Sequence, residues 1–319
     1  MATTNSRSPG CAQTELSNLK HHRTSDANRA HHWWTWRLFG LLFLLALPAW
    51  AQAKPTLVWL LRDLPPLTIF EGPKKGQGVI DQLMPMLIAG MPQYEHTLMR
   101  VNRARGMQML HEPSFTCDPS LIWSKERTQW IAFSIPAFRA VSNGLVVRQK
   151  DRNVLAPYLI DGEVDLTAFL ANGEIKVGVV AERSYGEFLD TLLKQAPDGA
   201  LTPHYGNDAL SSLLSMQRLG RLQVVLGYSP EIRYQAHQAQ IAEDELVFYP
   251  IRGTGKYLSG YVGCSDTPQG RQAISEINQL LRTLPHEQLN QSYADWLDPE
   301  MRTDYLHQAR IFFEQQAAP

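Results

Sequence analysis

Downstream of Thr56, short apolar runs alternate with helical patterns, and the alternation starts over once. Thr56-Leu-Val-Trp-Leu-Leu61 is a buried-strand pattern, ended by Arg62-Asp63-Leu64-Pro65-Pro66 because proline cannot continue a central ladder. A glycine-bounded loop, Gly72 to Gly78, leads into VIDQLMPMLIAG, where Ile80, Leu83, Met84, Leu87 and Ile88 share a helical face and Pro85 predicts a kink. Strand patterns follow near Tyr94–Val101, Ser114–Cys117 and Val141–Val147, with a helix over Asn102–Leu110. The second round runs through a helix at Asp165–Ala171, a strand at Ile175–Val180, a turn at Ala181–Ser184 and a helix at Tyr185–Gln195. A helix capped by Asn207 or Asp208 and ended by Gly220 comes next, then a strand at Leu222–Leu226. Ser229-Pro230-Glu231 opens another helix, with an acid near its positive end. After Leu246–Pro250, a turn (RGTGK) and a strand at Leu258–Cys264, three helical segments close the chain, over 269–284, 286–297 and 299–316. Such alternation predicts two α/β layers with largely parallel sheets.

The first 53 residues are different in kind. Arg29 and Arg37 precede an apolar core, Leu38 to Leu47, and Pro48 and two small-x-small sites, Ala49-Trp50-Ala51 and Ala51-Gln52-Ala53, follow. This is the layout of an export signal, and the core is shorter than the roughly 20 residues a membrane span requires. The whole chain carries a formal charge of -1. Loss of the leader removes Arg7, Lys20, Arg23, Arg29 and Arg37 but only Glu15 and Asp26, so the remainder is mildly acidic. That balance argues against a nucleic-acid partner. Cys11 leaves with the leader, while Cys117 and Cys264 stay. Two buried thiols is the plain reading of the pair; a disulfide is the other, and an exported compartment permits it. No cofactor is called for, and the cysteines match no metal-ligand spacing.

Ligands of open α/β sheets sit beyond the carboxyl ends of the strands. That rule selects Arg62-Asp63, the 118–127 loop, Glu182-Arg183-Ser184 and Gly227-Tyr228. Around these loops the chain resembles the amino-acid type of periplasmic solute-binding protein, the bacterial extracellular family 3 class. The likeness is carried by LVWLLRDLPPLTIF with Gly78 and VIDQLMPML, by TCDPSLIWSKERTQWIAFSIPAF, by IKVGVVAERSYGEFLDTLL and by the closing YADWL. Glu126-Arg127 and Phe133-Ser134-Ile135-Pro136 hold the order of the second motif. The resemblance implies an α/β, two-lobed, type II periplasmic-binding-protein-like fold. Each lobe is then a mixed, mostly parallel sheet flanked by helices, with the ligand cleft between them. The expected layout is a leader over 1–53, lobe one over 54–149, lobe two over 150–250, and a return to lobe one with C-terminal helices over 251–319.

In that family the arginine after the 118–127 loop grips the ligand's carboxylate, and the match assigns this to Arg127. A guanidinium offers a planar fork of donors and stays charged when desolvated. The helix start at Ser184 is similar to the family's second carboxylate contact. Departures shape the expected ligand. The loop after Leu226 reads Gly227-Tyr228-Ser229, with no acid to hold an ammonium, and Leu121-Ile122-Trp123-Ser124 replaces the usual threonine. Asp63, Phe70, Trp123, Arg183 and Tyr228 complete the expected wall, and of these Phe70, Trp123, Arg183 and Tyr228 suit an aromatic, larger or more anionic solute. Each aromatic has a plainer reading as core.

The expected partners are a small amino-acid-like or other carboxylate ligand and a membrane transporter permease or receptor, with no nucleic acid and a monomeric chain. The leading function is capture of that solute for an ABC-type transporter. The alternatives are an enzyme on the same fold, such as a dehydratase of cyclic acids, and a ligand-sensing partner of a membrane receptor. An enzyme would need a positioned general acid or base, and Asp63 and Glu182 are the acids near the expected cleft. RGTGK lacks phosphate-loop spacing, and His286-Glu287 lacks the second histidine of a zinc helix.

Overall fold

The computed structural model describes residues 53–317 and arranges them around two five-stranded sheets. The leader expected over 1–53, Ala53 apart, and Cys11 lie outside the described residues. The first sheet contains β1 (Thr56–Leu61), β2 (Glu95–Arg100), β3 (Thr116–Leu121), β4 (Ile131–Val141) and β12 (Tyr257–Ser265), in the order β2-β1-β3-β12-β4. The second contains β5 (Asn143–Arg148), β8 (Val177–Val180), β9 (Leu201–His204), β10 (Val224–Tyr228) and β11 (Leu246–Pro250), in the order β11-β5-β10-β8-β9. A short ribbon pairs β6 (Leu159–Ile160) with β7 (Glu163–Val164).

The parallel pairs are β1 with β2 and β3 in the first sheet, and β8 with β9 and β10 in the second. Antiparallel pairing enters with the strands that arrive from the other lobe. β12 runs against β3 and β4, and β5 runs against β10 and β11. Two segments therefore cross between the sheets, Val141 to Asn143 and Pro250 to Tyr257. The Ser142 N–H donates to the Lys256 carbonyl at 3.0 Å and ties them together. β5 already belongs to the second sheet, ahead of the lobe boundary expected at 149.

The helices are α1 (Val79–Gly90), α2 (Arg103–His111), α3 (Leu166–Asn172), α4 (Glu187–Lys194), α5 (Ala209–Arg218), α6 (Ser229–Gln238), α7 (Pro268–Thr283), α8 (His286–Ala294) and α9 (Pro299–Ala317). They cover both faces of each sheet, as the pleat requires. Leu57, Trp59 and Leu61 point into one core with Ile80, Leu83, Ile277 and Tyr305, while Leu60 points to the other face with Leu110 and Ile131. In the second sheet Val224 and Leu226 face Phe169 and Leu189, while Val225 faces Leu210, Leu213 and Ile232. Each such side chain contributes about 1.5–3 kcal/mol on burial. The Trp59 indole N–H, buried with its ring, donates to His96 Nδ1 at 3.0 Å.

Two prolines mark edges, whereas Pro119 lies in the central β3, whose pairing with β12 shifts register. Pro136 sits within β4 and Pro203 within β9, and both strands are outermost, where a missing N–H leaves no ladder bond unmade. Cys117 of β3 lies opposite Cys264 of β12, and the two are joined as a disulfide spanning 147 residues of sequence. Among the described residues no helix is long and apolar enough to cross a membrane.

Candidate functional site

The carboxyl ends of β1, β2, β3, β8 and β10 converge between the sheets. The residues that follow them line a cavity of about 40 Å³, walled by Leu64, Phe138, Tyr228 and Tyr293 and carrying Arg103, Ser120, Arg183 and Ser184 as polar groups. An adjoining cavity, also about 40 Å³, shares Arg103, Arg183 and Glu231 with it and adds Arg62 and Asp63. On the other side, a wider groove carries Arg127, Trp130, Glu182, Ser184 and Asp190.

Three arginines meet here and are treated differently by their surroundings. Arg183 is paired: Nη1 and Nη2 donate to the two oxygens of Glu231 at 2.7 Å each, and both side chains are buried. Burial works against the Arg183 charge, but the Glu231 carboxylate outweighs it and the net direction of its pKa is up. Arg62 is 5% exposed and uses only Nη2, which donates to Asp118 Oδ1 (3.2 Å), the Ser120 carbonyl (3.0 Å) and Ser120 Oγ (2.8 Å). Its Nε and Nη1 are buried without a hydrogen-bond partner among the described residues. Arg103 stands at the first position of α2, and Asn102 caps that helix by accepting from the Arg105 N–H at 2.8 Å. The Arg103 side chain makes no hydrogen bond or ion pair among the described residues. Burial pushes its pKa well down, and the charges of Arg62 and Arg183 push the same way. An arginine keeps its proton in such a place. The direction therefore marks a cation in want of an anion.

The Arg127 side is more complete. Arg127 Nη1 donates to the Ile122 carbonyl at 3.2 Å. Burial and then the Arg62 charge lower its pKa, while Asp190 offsets part of the shift. Asp190, four residues into the α4 region, also closes that helix's start. Its Oδ2 accepts from the Ser184 hydroxyl at 2.5 Å and its Oδ1 from the Tyr185 N–H at 2.7 Å. The chain enters α4 through Gly186 at φ 99°, a conformation that bars most side chains. Glu126 and Lys194 form an exposed ion pair at the mouth of the groove, at 2.6 Å.

Of the residues expected from sequence, the structure brings Arg183, Ser184 and Tyr228 to the first cavity, Asp63 to the second and Arg127 to the groove. The Arg183 guanidinium lies 5.8 Å from the Tyr228 ring centre. Phe70 and Trp123 are not among the residues lining these three. Phe70 packs on the first core and beneath the Arg100 guanidinium, 4.2 Å away, and Trp123 stands 37% exposed. Sequence reasoning left out Arg103 and Glu231 and passed over Arg62 as one member of a loop. The strand-end rule, applied also after β2, would have reached Arg103. Glu231 supplies the acid that the loop after Leu226 lacked, but Arg183 occupies both of its oxygens. Among the described residues no cluster of His, Cys, Asp and Glu could hold a metal ion.

No protein-family model matches the chain, and no curated sequence does. Solved structures do share its fold. A histidine kinase sensor domain with similarity to periplasmic binding proteins superposes with a TM-score of 0.59 at 15% identity, over 77% of this chain and 96% of that one. An amino-acid ABC transporter substrate-binding protein from Streptococcus pneumoniae, bound to L-arginine, gives 0.57 at 18% identity, over 76% and 94%. The ancestral amino-acid-binding protein AncCDT-1, a precursor of cyclohexadienyl dehydratase, gives 0.56 at 13% identity, over 77% and 96%. At such identities the likeness is one of fold: the chain has the two-lobed architecture of periplasmic binding proteins, and amino-acid-binding proteins are among its structural neighbours.

Proposed function

We propose that the chain is an exported solute-binding protein that captures a small polar, carboxylate-bearing solute between its lobes and presents it to an ABC-type transporter. The observation that carries this reading is Arg103, a partly buried guanidinium with no anion of its own among the described residues, lining both cavities. A ligand carboxylate would meet that planar fork, with Ser120 and Ser184 beside it and Phe138, Tyr228 and Tyr293 as apolar walls. Ligand contacts from both lobes favour the closed arrangement, with the two crossovers as hinge, and closure is what a transporter reads. The Cys117–Cys264 disulfide fits an oxidising compartment. Arg127 remains in the proposal as a second carboxylate contact, in competition with Asp190.

Binding is favoured over catalysis because the buried acids of the cleft are committed. Glu231 is held by Arg183 and Asp118 by Arg62 and Ser120, so neither is free to move a proton. A sensor role would use the same cleft with a different membrane partner.

A thermal-shift screen of amino acids, dicarboxylates and cyclic acids tests the reading, because a ligand of the folded state raises its melting temperature. The expected result is a carboxylate hit whose shift is lost in Arg103→Gln. Turnover of a cyclic acid, or no hit from the panel, would overturn it.

A further inference from the structure

The second cavity holds donors that the carboxylate reading does not use. The N-terminus of α5 faces it, with Asn207, Ala209, Leu210 and Ser211 on its lining. Among the described residues no side chain caps that helix: Asp208 stands at the cap position, but its Oδ2 accepts from the Ser212 hydroxyl at 3.2 Å instead. The first-turn N–H groups of Ala209, Leu210 and Ser211 thus have no protein partner among the described residues, at the positive end of a ten-residue helix. Gly206, at φ 111°, turns the backbone into this start. On the facing wall is Arg62, 95% removed from solvent, with Nε and Nη1 unpaired. Arg103 lines the same cavity. The acids nearby are spent or turned aside. Glu231 is bound by Arg183, Asp118 shares Arg62 Nη2 with Ser120, and Asp63 is itself exposed.

We infer that this cavity is a second anion site, built for a tetrahedral oxyanion of the phosphate or phosphonate type held by Arg62, Arg103 and the first turn of α5. Such a group offers acceptor oxygens in several directions, which suits donors converging from two arginines and a helix start; a carboxylate has only two oxygens in one plane. The cavity, of about 40 Å³, has room for more than one water-sized group. The inference rests on the binding reading and narrows it: the captured solute carries a phosphate-type group besides its carboxylate.

The test is titration calorimetry of the full protein with inorganic phosphate, beside the carboxylate panel. Ser211→Glu places a carboxylate in the first turn of α5, where it satisfies the helix itself, and Ser211→Gln is its uncharged control. Phosphate is expected to bind the native protein, and to bind Ser211→Gln, which adds bulk but no charge, more tightly than Ser211→Glu. It should weaken by about tenfold or more in both Ser211→Glu and Arg103→Gln. The helix content of Ser211→Glu stays native, which separates lost binding from lost folding. If carboxylates bind but phosphate does not, or if phosphate binds all the variants equally, the second site is overturned and the binding reading stands. If no anion of either kind binds, both fall.

Discussion

Two helices of the second lobe begin at the cleft, and they begin differently. Each is entered through a glycine at positive φ, Gly186 before α4 and Gly206 before α5. At α4 the protein supplies its own anion: Asp190 accepts from Ser184 and Tyr185 and stands close enough to Arg127 to support its charge. At α5 the acid at the cap, Asp208, bonds the Ser212 hydroxyl rather than the first-turn N–H groups, and Arg62 and Arg103 line the same cavity. The arginines divide along the same line. Arg183 is saturated by Glu231, whereas Arg62 and Arg103 keep donors in reserve. Satisfied buried polar groups stabilise and specify a fold, while unsatisfied ones cost stability and persist where a ligand completes them. On the proposed reading, that difference puts the ligand on the Arg62–Arg103 side.

The comparison can be broken at several points. Glu231→Gln leaves Arg183 buried without its anion, and should cost about 3–5 kcal/mol in a urea unfolding experiment. Asp190→Asn weakens the start of α4 by about 1 kcal/mol. It should also strengthen carboxylate binding at Arg127, and an affinity that stays the same or drops would contradict the view of Asp190 as an occupant. Arg103→Gln changes stability by no more than about 0.5 kcal/mol, because no bond among the described residues is lost; a larger destabilisation would mean that Arg103 is structural.

The smallest effect lies outside the cleft and serves as a control on charge effects inside it. His286 Nε2 donates to the Leu281 carbonyl at 2.6 Å, its ring stacks on Phe313, and its Nδ1 is buried without a partner among the described residues. Burial holds its pKa below 6.5, with the Leu281 bond opposing. The unfolded chain then takes up the proton first. The contribution is full above pH 6.5 and is lost as pH falls through the folded value. His286→Phe should flatten the corresponding part of the stability profile.

Most of the fold was legible because its elements are periodic and well punctuated. The apolar run 56–61, the helix at Val79 and the strand 258–264 fall where the pattern sets them, within a few residues. β9 was missed because Leu-Thr-Pro-His carries almost no apolar signal, and its place as an edge strand explains why it needs none. The length of β4, which spans Ile131–Val141, was hidden by Pro136, which the outermost position of the strand accommodates. At the site, Arg183, Ser184 and Tyr228 could be read because they directly follow buried strands. Glu231 read as a helix-end acid, and only the tertiary fold sets it against Arg183. The disulfide was equally a matter of register, since Cys117 and Cys264 are neighbours only once β3 and β12 pair. What the sequence could not carry was the state of occupation: whether each donor already has a partner depends on contacts between segments far apart in the chain.

The most direct test of that division is calorimetric titration of the strongest carboxylate hit into three proteins side by side, native, Arg103→Gln and Arg127→Ala. Arg103→Gln is expected to lose at least about tenfold in affinity, and Arg127→Ala distinctly less, because the Asp190 charge already supports Arg127 and its Nη1 is spent on the Ile122 carbonyl. A larger loss in Arg127→Ala than in Arg103→Gln would contradict the account and return the ligand to the α4 side of the cleft.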